Sequence, residues 1–388
     1  MDSAANCATV FPEQEVGVTS ELGDQPRTQG EAQRRAVTGL VSRLPAGWSG
    51  QARHSTEPET DGIVEVTSPD GESALLIIEA KLNVVGRDVE RLKSHLSRAA
   101  SHYSDHGVEA QAVVVAPYLS GSVRERLQEA GLSYVDLTGN IRVELSRPGL
   151  FLMDRGADAD PWRGPGRPLG TLKGEPAARV VRALIDIDKV WSMRELVKES
   201  GASTGAAYRV IDYLEREGHV KRDDRRRVHV SDWAKLLRAW STDYSLTGSN
   251  RTSRWIAPRG IPHLLEHMAA SAGRHNAAFR HALTGTVAAA EWAPYAPAVI
   301  AMTYVSDTEA AASGWGLHGA DAGANTLLIE PTYDVMLERT TVNDAGLHIA
   351  APAQVVVDLL TGPGRGPAEA EKLLTWMQTH EQSWRTHG

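Results

Sequence analysis

Residues 192–230 read SMRELVKESGASTGAAYRVIDYLEREGHVKRDDRRRVHV, and their punctuation decides the local fold. Ser192 followed three residues later by Glu195 is a capping box, a reciprocal side-chain pairing that opens a helix. Met193, Leu196 and Val197 recur at helical spacing, and Gly201 stops the run. Ser203 caps a further helix over 204–217, with Ala207, Val210, Ile211 and Leu214 on one face and Gly218 at its end. Two short strand-like runs follow, HVKR and RVHV, on either side of the charged turn DDRR. Upstream, Pro176 sits where a first helical turn tolerates a missing N–H. The helix over 177–187 then places Val180, Val181, Leu184 and Ile185 on one face. Three helices, the last two joined by a short glycine turn, then a hairpin, predict a winged helix-turn-helix over 173–240.

The side chains suit duplex DNA, with no cofactor required for binding. In such a unit the N-terminal half of the second helix of the pair enters the major groove. Ser203, Thr204, Gly205, Tyr208 and Arg209 face away from the core there. Small hydroxylated residues allow close approach, and Arg can read guanine or hold phosphate. The wing adds Lys221, Arg222, Arg225, Arg226 and Arg227, which suit phosphate contacts. Residues 173–240 hold 15 Lys and Arg against 11 Asp and Glu, so this block carries +4 in a chain of net charge −8. The competing interpretation is a protein-contact module with a solvated arginine turn. The segment resembles the winged-helix domains of bacterial regulators of the IclR and MarR type.

Outward to the N-terminal side, residues 31–44 have helical periodicity, closed by Pro45 and Gly47. GIVEVT (62–67) and ALLIIEA (74–80) flank SPDG, a hairpin signal. Helices over 89–100 and 121–131 alternate with strands at 110–116 and 133–137, an α/β order. Asp61 precedes the first hairpin strand, and Glu79 and Lys81 end the second. A side-chain period of two puts Glu79 and Lys81 on one face. This arrangement resembles the PD-(D/E)XK nucleases, whose restriction-endonuclease-like fold also has a helix before the hairpin. The resemblance implies catalytic Asp61, Glu79 and Lys81, with Asp61 and Glu79 holding Mg²⁺ and Lys81 serving the attacking water. Glu31 or Gln33 would add a ligand. The alternative is a surface Glu–Lys ion pair on a fold without activity. In YVDLTGN (134–140), Asp136 and Asn140 bracket a glycine turn, and local hydrogen bonding explains them more simply than catalysis.

Residues 1–29 are polar and aperiodic and read as a disordered arm, with the nuclease-like domain over 30–154. Gly, Pro and charge crowd 155–172, and 241–260 is Ser/Thr-rich, so both read as linkers. Residues 261–388 mix Ala-rich helices with VIAMTYV and NTLLIE, giving a third, α/β domain and a mixed α/β (α+β) multidomain class overall. HALTGTVAAA (281–290), WAPYAP (292–297) and the run from Val355 through GPGRGPAEAEKLL resemble the C-terminal region of type IV abortive-infection antitoxin regulators. Those pair a winged helix with an α/β domain and repress their own operon. Here the winged helix is internal, which leaves any toxin partner unknown. Arg365 in GPGRG suits an anion, or lies in a plain loop.

One cysteine, Cys7, excludes a disulfide framework, and the 14 histidines show no H-x-x-H or H-E-x-x-H spacing, so no zinc site is expected. No apolar run is long enough for a membrane span, and no signal peptide is seen, so the expected compartment is the cytoplasm. Two-fold operators predict a homodimer. The expected function is a DNA-binding transcriptional regulator, a repressor by resemblance. The alternative is a Mg²⁺-dependent endonuclease targeted by the winged helix in phage or plasmid defence.

Overall fold

The computed structural model describes residues 23–53, 60–104, 108–162, 171–272 and 279–388, so most of the expected N-terminal arm lies outside it. The chain divides into two compact mixed α/β units, residues 1–168 and 169–388.

In the first unit, Thr28 caps α1 (Gln29–Val41) by accepting from the Glu31 N–H. The helix thus begins and ends slightly earlier than its apolar periodicity suggests. Strands β1 (Ser49–Arg53), β2 (Gly62–Thr67) and β3 (Ser73–Ala80) form an antiparallel meander. Helix α2 (Val89–Ser104) carries the chain back so that β4 (Ala110–Ala116) lies parallel to β3. Helix α3 (Gly121–Glu129) does the same for β5 (Ser133–Asp136). Then β6 (Ile141–Leu145) and β7 (Leu150–Asp154) complete a seven-stranded sheet whose spatial order is its sequence order. Ala36 and Leu40 of α1 pack with Val64, Leu76, Ile78 and Val113 on one face. Leu92 and Leu96 of α2 and Leu127 of α3 pack with Ile63, Ile77 and Val114 on the other. A sheet covered on both faces explains why β3 and β4 are continuous apolar runs rather than alternating ones.

Of the stretch expected as a linker over 155–172, residues 163–170 lie outside the described residues, and 156–162 are tied to the first unit by hydrogen bonds. The Gly156 N–H donates to Asn140 Oδ1 at 3.0 Å, and Asn140 Nδ2 donates to the Ala157 carbonyl at 3.1 Å. Tyr118 Oη donates to the Asp158 carbonyl at 2.7 Å, and Trp162 Nε1 to that of Gly23 at 2.9 Å. Leu172 is buried in the second unit's core. Gly and Pro mark irregular backbone, but side-chain donors from the sheet satisfy that backbone here.

The second unit opens with α4 (Glu175–Asp186) and β8 (Ile187–Asp188), then α5 (Met193–Ser200), α6 (Thr204–Arg216), β9 (Val220–Arg222) and β10 (Val228–Val230). The two strands pair as an antiparallel wing, and Trp191 bridges to Val228. Helix α7 (Trp233–Asp243) leads into β11 (Arg251–Ile256) and α8 (Gly260–Ala272). There follow β12 (His281–Thr284), α9 (Gly285–Ala289), β13 (Ala301–Val305), α10 (Thr308–Trp315), β14 (His318–Gly319) and β15 (Thr326–Glu330). The chain ends through β16 (Thr341–Val342), β17 (His348–Ile349), α11 (Pro352–Leu360), α12 (Gly366–Thr379), α13 (Glu381–Trp384) and β18 (Thr386–His387), which pairs with β8. The larger sheet has the order β14-β11-β15-β13-β12-β17-β16.

Residues 241–260 are not a linker. β11 is a strand of that sheet, Tyr244 and Leu246 are buried, and one core runs from Leu172 to Met377. Two of its polar residues, Tyr244 and Asn250, are buried and bonded inward. Tyr244 Oη donates to Asp358 Oδ1 at 2.7 Å, and Asn250 Nδ2 donates to the Leu246 carbonyl at 2.9 Å. The winged helix and the C-terminal sheet therefore fold as one body rather than as separate domains over 173–240 and 261–388.

Asp358 is the hub of this buried network, accepting from Thr284, Tyr244, Tyr304 and Gln354. Burial pushes its carboxyl up from 3.8 to about 6, against the hydrogen bonds that lower it. The folded state therefore holds a proton that the unfolded chain has released, and stability falls as pH rises from about 4 to about 6. A shift of this size corresponds to roughly 3 kcal/mol. Denaturant titrations across that window should show the fall, and Asp358→Asn should flatten it; an unchanged slope in the variant would remove Asp358 as its source.

Candidate functional site

The helix-turn-helix is built as its caps dictate. Ser192 Oγ accepts from the Glu195 N–H at 3.3 Å, and Glu195 Oε2 accepts from the Ser192 N–H at 2.9 Å. Lys189 beside Glu195, with Ser192, holds that carboxyl down to about 2. Gly201 closes α5 with φ +64°, a conformation that favours glycine. Ser203 caps α6 through the Ala206 N–H. Ala206, Ala207, Val210, Ile211 and Leu214 are buried, which turns Ser203, Thr204, Gly205, Tyr208 and Arg209 to solvent. Tyr208 is 45% exposed, a large aromatic that the core does not require.

The wing sorts its cations into two classes. Asp223 folds the turn by accepting from the Arg225 N–H at 3.0 Å, the Arg227 N–H at 2.8 Å and Arg227 Nε at 2.8 Å. These bonds, with the Arg227 charge, hold the Asp223 carboxyl below its ordinary range. Arg226 sits at the tip with φ +59°. Among the described residues, Lys221, Arg225 and Arg226 are exposed and make no side-chain ion pair with an acid. Arg222 does not belong with them. Its guanidinium binds Asp212 Oδ1 at 2.7 Å and Glu215 Oε2 at 3.1 Å, tying the wing to α6. Arg227 is likewise engaged by Asp223. The charge run marks the wing in sequence, but the register that pairs Arg222 with α6 emerges only in three dimensions. Exposed ion pairs are worth about 1 kcal/mol or less. Arg222→Ala should therefore lower the melting temperature slightly; an unchanged melting temperature would show that the pairs to Asp212 and Glu215 do not brace the wing.

In the first unit, the residues singled out at the end of β3 do come together. Asp61 Oδ2 accepts from the Ala80 N–H at 2.8 Å, which places it between Glu79 and Lys81 along the strand. Lys81 Nζ pairs with Glu79 Oε1 at 2.5 Å. Gln33 Nε2 donates to the Asp61 carbonyl at 3.0 Å. Gly62 permits this approach, since a Cβ there would overlap Gln33 Nε2. His95 of α2 reaches Glu79 Oε2 at 3.6 Å, a neighbour with no signal in the local sequence. Glu31 is engaged elsewhere, by the Arg27 N–H and by Arg35.

The fit to a Mg²⁺ site is poor. One oxygen of each carboxylate is taken by a protein donor, Glu79's other oxygen faces His95, and no group of three or more His, Cys, Asp or Glu among the described residues is placed to hold a metal ion. As arranged, the cluster is an ion pair with a hydrogen-bonded brace.

Asp136 is a structural hub. It accepts from the Leu119, Thr138 and Asn140 N–H groups, from Thr138 Oγ1 and from Asn140 Nδ2, all between 2.7 and 3.0 Å. Burial raises its pKa against these bonds.

No family model matches the chain, and no curated protein matches it. A solved structure described as EndoMS in apo form is similar at 19% identity, over 29% of this chain and 46% of that one, with a TM-score of 0.20. The chain thus spans less than half the length of that protein, a likeness too slight to carry fold or activity. Among the described residues no helix is long and apolar enough to cross a membrane.

Proposed function

We propose that this protein binds duplex DNA through α6 and the wing and acts as a transcriptional regulator, a repressor by its resemblance to antitoxin regulators. The observation that carries the proposal is the exposed Ser203–Arg209 face set in one module with a wing whose Arg225 and Arg226 have no acid partner among the described residues. Small hydroxyls and an arginine on the groove-facing half of a recognition helix supply base readout, and free wing cations supply phosphate contacts. A genome-wide binding footprint, followed by titration of the recovered sites against scrambled duplexes, tests the reading. A footprint without enriched sequence, or equal affinity for scrambled DNA, would leave no regulator.

A two-fold dimer on a two-fold operator follows from the same reading. Light scattering should give twice the chain mass for the free protein and two chains plus one duplex for its DNA complex; a monomer in both states would refute it.

The β3 cluster bears on the endonuclease alternative. Binding without cleavage is the expected result in Mg²⁺ or Mn²⁺, and Glu79→Ala or Lys81→Ala should bind DNA as the parent does. Metal-dependent cutting that Glu79→Ala abolishes would put the endonuclease in the regulator's place.

A further inference from the structure

Two adjoining cavities open beside the sheet of the second unit, of about 530 and 290 Å³, and they share Ile300, Met302, Gly362 and Pro363 as walls. The smaller one is lined by two carboxylates that are almost wholly buried, Asp358 and Glu369. Thr286 Oγ1 donates to Glu369 Oε2 at 2.6 Å, and the hydroxyl and amide network already described orients Asp358. Neither carboxylate has a Lys, Arg or His ion-pair partner among the described residues. Burying acids without cations is costly, and a cationic group entering the cavity would offset that cost. The same cavity is also lined by Arg365, exposed on the Gly-rich loop between α11 and α12. An apolar surface, Ile300, Met302 and Leu359, completes the lining. A mostly apolar pocket with a few convergent polar groups is the usual form of a small-molecule site.

We propose that this double cavity binds a small zwitterion with an apolar body, of the class of the aliphatic and aromatic α-amino acids. The ammonium group sits at Glu369, with the charge of the hydrogen-bonded Asp358 behind it, the carboxylate at Arg365, and the side chain on Ile300 and Met302. In the smaller cavity the charge pattern calls for both ligand charges, because an amine alone leaves Arg365 unused and an acid alone meets two carboxylates; the larger cavity adds one charge of each sign, Arg254 and Asp321. The site also has a route to the winged helix. Asp358 accepts from Tyr244, which directly follows α7, the helix after the wing strand β10. The binding claim itself does not rest on the DNA reading.

Calorimetry on the full chain, without DNA, tests it with L-leucine and L-phenylalanine, and with 3-methylbutylamine and 4-methylpentanoate as single-charge arms. Saturable binding of at least one amino acid at one per chain is expected. Both single-charge compounds should bind about tenfold more weakly or worse, as the loss of a charge-assisted contact implies. Glu369→Gln keeps the Thr286 contact and should cost about tenfold in affinity, as should Arg365→Ala. Ile300→Trp, which fills the shared wall, should abolish binding while the melting temperature shows a folded protein. Lack of binding by both amino acids, equal binding of the amine or the acid, or full binding by Ile300→Trp would overturn the proposal. Should a variant fail to fold, the single-charge arms on the parent protein decide alone.

Discussion

Changing Arg225 and Arg226 together to Ala is expected to weaken binding to every duplex alike and to flatten its salt dependence. Each phosphate contact contributes roughly 0.9 to the slope of log affinity against log salt through counterion release. Two lost contacts should therefore lower the slope by about 2. The two side chains suit this test because no acid in the protein competes for them among the described residues, whereas Arg222 and Arg227 are held by Asp212, Glu215 and Asp223. Adding Arg227→Ala should change the slope by less than a further full contact and should also loosen the wing turn. Arg209→Ala and Tyr208→Ala should act differently, reducing preference for the specific site, by about 1–3 kcal/mol if Arg209 makes a bidentate base contact. Fluorescence anisotropy at several salt concentrations, on specific and scrambled duplexes, separates the two classes. Unchanged slopes and unchanged preference in both sets would remove α6 and the wing as the DNA-binding surface.

The winged helix was legible in sequence because its signals are local. Caps at Ser192 and Ser203, stops at Gly201 and Gly218, and one apolar face per helix each operate within a few residues. The strands β2, β3 and β4 were legible for the same reason, as apolar runs between turn signals. β1 was not, since SGQAR is mostly exposed and has no apolar run to mark it. The partition of the second half of the chain was illegible because it depends on distant partners. Tyr244 and Asn250 look like loop polarity until Asp358, more than a hundred residues later, is seen to accept from Tyr244. In the β3 cluster, Asp61, Glu79 and Lys81 were readable from spacing. The Glu79–Lys81 pair was readable too, as the alternative to catalysis; the remaining engagement was not, because it turns on an amide at Ala80 and an imidazole at His95.

Arg182 in α4 should give the largest stability effect in the protein. Sequence hides it within the apolar face of α4, where only Asp186 four residues later hints at a partner. Its side chain is fully buried; Nε binds Asp186 Oδ2 at 2.9 Å and Nη1 donates to Gln354 Oε1 at 3.0 Å and to the Val335 carbonyl at 3.2 Å. Nη2 donates to the Glu338 carbonyl at 3.3 Å. One guanidinium thus joins the first helix of the winged helix to α11 and to the segment after β15. Arg182→Ala would leave Asp186 short of its closest cation, with only Arg339 at 3.4 Å, and would strip two carbonyls and an amide of their donor. Breaking a buried pair in this way typically costs about 3–5 kcal/mol. Urea unfolding followed by tryptophan fluorescence suits the measurement, since eight of the ten tryptophans lie beyond residue 169. A loss below about 1 kcal/mol would show that solvent or a neighbour replaces the guanidinium at little cost. The shape of the transition carries a second result. One core and one buried polar network predict that the winged helix and the C-terminal sheet unfold together, in the parent and in Arg182→Ala alike. If Arg182→Ala instead separates two transitions, Arg182 is the clasp between bodies that each fold alone. The hydrophobic contacts of α4 and α7 with α11 would then be secondary to it. Arg182→Met with Asp186→Leu distinguishes the charge from the packing. Replacing both members of a buried pair by apolar groups of similar volume is often neutral or better. Recovery in the double variant would therefore assign the loss in Arg182→Ala to the abandoned carboxylate rather than to a cavity.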